Sequence, residues 1–198
     1  MWLINETRRI MALDKNTLKQ NLIDNFTNVR DNVKSQRDSA DGLAQAIVDY
    51  AKDAEVQIPA PISGFITTAG NDPSVAGMKL KVSGVEIGKQ ALVSQIMTSF
   101  KLMDPTMNLI SLSIVTFAAL MLNFSNTTKT VNAVGATVMA VPPIFLPSTK
   151  KGMDGGSIEN VCDEMAKVIH TSFSASVFTG VGTNVTAVST GPVAGKLV

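Results

Sequence analysis

Residues 190–198 read TGPVAGKLV, and residues 71–82 read NDPSVAGMKLKV. In both, V-A-G is followed within three residues by lysine and leucine, so the chain is tested first for a unit written twice. Shifted by 118 residues, 39–80 lies on 157–198 without a gap and with seven identities over 42 positions. Average residue usage would give roughly two or three by chance. Ser39 falls on Ser157, Asp41 on Glu159, Leu43 on Val161, Ile47 on Met165 and Tyr50 on Val168. Gly64, Thr68 and Ala69 fall on Gly182, Thr186 and Ala187, and Val75-Ala76-Gly77 on Val193-Ala194-Gly195. Cap, apolar stripe, turn glycine and closing strand share one offset, which is how an internal repeat reads. The expected fold is α+β, with duplicated helix-then-β-ribbon units around a central apolar helical segment. The expected units are an N-terminal helical arm at 1–38, a first helix/ribbon unit at 39–84, apolar helices and strands at 85–149, and a second helix/ribbon unit at 150–198 repeating 39–80.

Working outward, Leu18, Leu22, Phe26, Val29 and Val33 recur at helical steps behind Asp14, a residue suited to accept from the first free amides of a helix. The opposite face carries Lys15, Lys19, Asp24, Arg30, Asp31, Lys34 and Arg37. Acids interleave with bases there, which describes a solvated face and argues against nucleic acid. A second helix is expected to open at Ser39, with Asp41 in its first turn and Leu43, Ile47, Tyr50 and Ala54 as its stripe. Val56 and Ile58, then Met78, Leu80 and Val82, alternate as strands do, with a turn at GNDP between them. Gln90–Met103 predicts a helix through Leu92, Ile96, Phe100 and Met103. Val131, Val134, Val138 and Val141 predict a strand region stopped by Pro142-Pro143, and Lys150–Ser157 reads as a linker. Residues 1–10 read as an added arm ahead of a more ordinary start at Met11, and they lack the pattern of a secretory leader.

Of 198 residues, 45% are hydrophobic, 5% aromatic and 17% charged, against about 25% charged in an average domain. A chain so poor in charge hides surface in a membrane or against other subunits. The net charge of +1 gives no general attraction to polyanions. One cysteine excludes an internal disulfide. Thr106–Phe124 has almost the length of a membrane span and no charge, but it contains Asn108, Ser111, Ser113, Thr116 and Asn123 and lacks flanking basic clusters. It reads as a buried helix opened by Asp104-Pro105, with membrane contact as the alternative.

No catalytic motif emerges. Cys162 and His170 stand eight residues apart on one expected helix, about 12 Å along its axis, too far for a thiolate–imidazole pair. Cys162, beside Asp163 and Glu164, reads as a buried small residue, and His170 as a side chain offsetting the dipole at a helix end. Zinc needs more His and Cys than the chain holds. The Asp154 region, GMDGGSIEN, lacks the alternating oxygen ligands of a calcium loop, and STGPVAGKLV is not a phosphate loop. No catalytic, cofactor-binding or metal residue is expected, and no small-molecule substrate.

MALDKNTLKQNLIDNF, then ADGLAQAIVDYAKDAEVQI, then a ribbon rich in Gly, Thr, Val and Pro, resembles small virion structural proteins of contractile-tailed bacteriophages. The resemblance covers about 11–82 and recurs faintly in 157–198. It implies a multi-copy structural subunit of tail, baseplate or neck, made in the host cytoplasm and residing in the virion. Its implied partners are copies of itself and other virion proteins. A membrane-active phage or bacterial protein using 106–124 is the alternative. Unpaired ribbon edges, satisfied by neighbouring chains, are the expected means of assembly.

Overall fold

Asp14 does begin the first helix. Its carboxylate accepts from the Asn16 N–H at 2.9 Å and from the Thr17 hydroxyl at 2.6 Å, and α1 (Lys15–Asp31) follows with Leu18 and Leu22 buried. The computed structural model describes residues 13–32, 34–58, 66–67, 70–71, 75, 77–104, 107–121, 123–128, 130–145 and 157–198. The expected arm at 1–10, Val33, most of the linker and Asp154 lie outside the described residues.

The second helix, α2 (Gln36–Ala51), opens at Ser35 and not at Ser39. Ser35 accepts from the Asp38 N–H, and the Asp38 carboxylate takes the Ser35 N–H at 3.0 Å, a reciprocal box that satisfies two free donors. Ser39 therefore lies a full turn inside the helix. Leu43, Ile47 and Tyr50 are buried as the stripe predicted, whereas Ala54, expected to end that stripe, is buried beyond the helix, which stops at Ala51.

After α2 come β1 (Glu55–Gln57), the short pair β2 (Ile66–Thr67) and β3 (Gly70–Asn71), β4 (Lys79–Ser83), a 3-10 turn (Val85–Gly88) and α3 (Lys89–Lys101). Then follow α4 (Asn108–Ala119), β5 (Asn123–Asn126), β6 (Val131–Val138), α5 (Ile158–Ser174), β7 (Val177–Asn184) and β8 (Ser189–Leu197). Met103, expected to close the stripe of α3, instead stands beyond its end at φ 47 and is 85% exposed. The run 106–124 is not one element. Asp104 accepts from the Leu109 N–H at 2.8 Å, α4 ends at Ala119, and Asn123 and Phe124 already belong to β5. Among the described residues no helix is long and apolar enough to cross a membrane.

Six antiparallel strands close into a barrel in the order β1-β4-β5-β6-β7-β8, with β8 returning to β1. The opening echo finds its place at this closure. Val56 of β1 pairs with Leu80 on one side and Leu197 on the other, while Gln57 pairs with Lys79 and Lys196. The two K-L segments flank a single strand. Backbone bonds between Glu55 and Val198, at 3.0 and 2.9 Å, tighten the seam. The chain is mixed helix and strand as expected, but duplicated units are not shown: at the 118-residue offset α5 lies over α2 only in part, at 40–51. The caps Ser35 and Ser157 stand 122 residues apart, and Gly77 occupies a turn at φ 66 where Gly195 lies within β8. Within the barrel the strands meet each other's hydrogen-bonding groups, while the β2–β3 pair is added to β8 at Thr190 and leaves β3 at the edge of the sheet.

The barrel is filled by side chains, as a small barrel must be. Phe124 and Phe178 meet edge to face with centroids 4.7 Å apart, among buried Val56, Leu80, Val131 and Leu197. Gly135 and Gly180 face each other across β6 and β7, so close that a Cβ on either would lie within 2.3 Å of a carbonyl oxygen of the other strand. Beside the barrel the helices pack in the series α5–α1–α2–α3–α4, and α4 touches β6 while α5 touches β8.

Candidate functional site

Alternation along a strand sends every second side chain outward. On β6 the inward set is Val131, Ala133, Gly135 and Thr137, which leaves Asn132, Val134, Ala136 and Val138 on the outside. On β7, Phe178, Gly180, Gly182 and Asn184 turn in, and Val177, Thr179, Val181 and Thr183 turn out. On β8, Thr190, Pro192, Ala194 and Lys196 turn out. Register aligns these into rows, Val134 beside Val181 beside Pro192, and Ala136 beside Thr179 beside Ala194. The outcome is a three-stranded outer wall whose one charge is Lys196. Val134, Val138 and Val181 are each about 60% exposed.

At one end of the wall the β7–β8 hairpin turns through Val185–Val188. Val185 and Val188 are exposed, and Val188 holds φ 50, a conformation that a β-branched side chain resists. The tip is tied down. The Asn184 carboxamide oxygen accepts from the Thr186 and Ala187 N–H groups at 3.1 and 3.4 Å, and the Val185 N–H donates to the Thr130 carbonyl at 3.0 Å. The Thr186 and Thr130 hydroxyls meet at 2.8 Å, joining this tip to the neighbouring β5–β6 turn.

At the other end of the same hairpin, near the barrel seam, lies an apolar hollow of about 470 Å³ lined by Gln57, Val177, Ala194, Gly195, Lys196 and Val198. Its floor is shallow in side chains because β8 passes so near β1 that a Cβ on Gly195 would stand 2.4 Å from the Gln57 carbonyl oxygen. A cleft of about 430 Å³ between the α1–α2 turn and the α3–α4 corner mixes Lys34, Ser35 and Asp104 with Phe100 and Met107. Asp104 there is already engaged by Leu109.

The residues weighed for chemistry occupy structural positions. Cys162 is buried in α5, and burial pushes its thiol up to about 11, with the Lys19 charge opposing. His170 does not cap its helix. Its Nδ1 meets the Tyr50 hydroxyl at 2.7 Å, linking α5 to α2, and Tyr50 stacks edge to face on Phe173 at 5.5 Å. Burial, then the charge of Asp14, holds the Tyr50 phenol well above its usual range. Among the described residues no group of three His, Cys, Asp or Glu could hold a metal ion.

The wall was hidden in the sequence by its own pattern. The inward face of β7 carries two glycines and an asparagine beside Phe178, so the valines look like the core face and are not. In 131–141 the valines recur at steps of three and four, which suits no single strand face. Compared with known proteins, the chain matches no family model, no curated protein and no solved structure.

Proposed function

We propose that this chain is a multi-copy structural subunit of a bacteriophage virion, in its tail, baseplate or neck, that works by assembly and without turnover. The observation that carries the reading is the outer wall, which bears Lys196 as its one charge and sets three valines in water. The resemblance of 11–82 to virion proteins supplies the phage context. Fully burying a valine is worth about 1.5–3 kcal/mol, so each valine of the wall, exposed by about 60%, offers roughly 1 kcal/mol. Association costs about 4–15 kcal/mol in lost freedom. Three valines do not hold a pair together unaided, and a surface of this strength suits an assembly in which each copy is held at several places. With the barrel edges satisfied, burial of faces takes over the role first expected of strand addition.

Mass spectrometry of purified particles tests the reading, with peptides of this chain expected in the particle fraction at many copies. Detection only in the unassembled lysate fraction refutes it. Light scattering of the isolated chain adds a second measurement, with mass expected to rise with concentration.

A further inference from the structure

Residues 183–190 read TNVTAVST, and the residues that turn the β7–β8 hairpin, Val185–Val188, include neither glycine nor proline. Turns favour Gly, Pro, Asn and Asp, whereas valine and threonine favour extended strand. The backbone records the conflict, since Val188 is held at φ 50, which a β-branched residue adopts only under strain. We infer that Val185–Val188 is the hinge of a strand exchange, in which β8 of one copy leaves its own barrel and fills the same place in a second copy, whose β8 does the reverse. The inference rests on the assembly reading above and names the element that joins two copies.

The slot that β8 vacates fits one occupant. It lies between β7 and β1, where the register takes Ser189 to Lys196 along β7, and Lys196 and Leu197 along β1. Val193 and Leu197 are buried in the barrel, and backbone bonds from Leu197 to Ser176 and between Val198 and Glu55 finish the seam. A second copy's β8 carries the same side chains in the same order. Every one of these contacts is remade across the pair, so no new surface has to be complementary. Exchange differs from addition to a free edge, because both barrels stay closed.

The two states differ at the hinge. The closed turn has the Asn184 bonds to the Thr186 and Ala187 N–H groups, the Val185–Thr130 backbone bond and the Thr186–Thr130 hydroxyl contact. Against them stands the strain at Val188, which an extended strand removes. Opened hinges of two copies run antiparallel about the two-fold axis, where the freed N–H groups pair with one another. Local preference for strand and the observed turn thus oppose each other in one short segment, and short hinge loops under strain are where proteins exchange elements.

Thr179→Cys with Ala194→Cys places two exposed thiols opposite each other on β7 and β8, about 4.5–5.5 Å apart at Cβ, near the span of a disulfide. The native Cys162 is buried. The double variant is refolded at a series of concentrations, sedimentation velocity separates monomer from dimer, and each fraction is oxidised and run on a denaturing gel without reductant. The expected result is a dimer fraction that grows with concentration and becomes covalently linked, while the monomer closes its disulfide within one chain. In otherwise native chains, Val188→Gly relieves the closed turn and is expected to weaken dimerisation at least about tenfold. Thr186→Val removes the hydroxyl tie and is expected to strengthen it. Circular dichroism checks that each variant folds. A dimer whose disulfides all close within single chains overturns the exchange and leaves the assembly reading standing. Dimerisation unchanged by Val188→Gly overturns the hinge. A native chain that stays monomeric after refolding at every concentration overturns the exchange, and detection of that chain in purified particles would still uphold the structural role.

Discussion

Gly180→Ala probes the pinch that lets the barrel close. The new Cβ would stand 2.3 Å from the Val134 carbonyl oxygen, 2.7 Å from the Gly135 Cα and 2.8 Å from the Val134 carbonyl carbon. All three are backbone atoms of β6, so no side-chain rotation relieves the clash. Carbon and carbonyl oxygen approach to about 3.3 Å between ordinary strands, and β6 and β7 must part locally by roughly 1 Å. That separation sacrifices one or two ladder hydrogen bonds at about 1 kcal/mol each and adds overpacking strain of about 1–3 kcal/mol. Alanine restricts the unfolded chain and returns about 0.4–1 kcal/mol. The net expectation is a loss of about 2–4 kcal/mol, or roughly 4–16 °C in Tm for a chain of this size. Chemical and thermal unfolding followed by circular dichroism read it directly. Gly84→Ala is the control. Gly84 holds φ 74 with its nearest neighbour, the Ile87 Cδ1, at 3.4 Å, so only backbone strain of about 1–2 kcal/mol applies. If Gly180→Ala costs no more than Gly84→Ala, the close approach of β6 and β7 is not what closes the barrel.

Ser35→Ala is expected to cost about 1 kcal/mol through loss of the α2 cap, whereas Ser39→Ala, inside the helix, is expected to be neutral; equal effects on the denaturation midpoint would return the cap to Ser39. Tyr50 is the chain's single tyrosine, so phenolate absorbance reports on it alone. The folded chain keeps a phenolic proton that the unfolded chain releases near pH 10, so the stability linked to it is whole below about pH 10 and is lost as pH rises further. Phenolate is expected to stay absent from the folded protein somewhat above that pH and to appear on unfolding, and an ordinary titration midpoint in the folded state contradicts the burial. Cys162, its thiol pushed up to about 11 and its side chain buried, is expected to react with a thiol reagent only after denaturant is added; rapid reaction in plain buffer refutes its placement.

Local chemistry was readable without coordinates. Asp14, the α1 stripe, the body of α2 and the alternation at Val56, Leu80 and Val82 follow from hydrogen-bonding geometry and periodicity within a few residues. The true cap was readable too. Ser35 has an acid three residues on, as a capping box requires, whereas Ser39 has one only two residues on. The echo of V-A-G and K-L was visible in the sequence, but its meaning was not. Leu80 and Leu197 resemble each other because both must pair with Val56 and point into one barrel, and a contact between residues 56 and 197 leaves no local trace. Tertiary closure likewise decided which face of β6 and β7 is inside. Phe178 fills the interior with Phe124, the glycines beside it let the strands approach, and the valines are left outside. Short-range forces act between neighbours in the sequence, so the sequence displays them. Which side of a strand meets water depends on how the whole sheet curls, and only the closed barrel decides that.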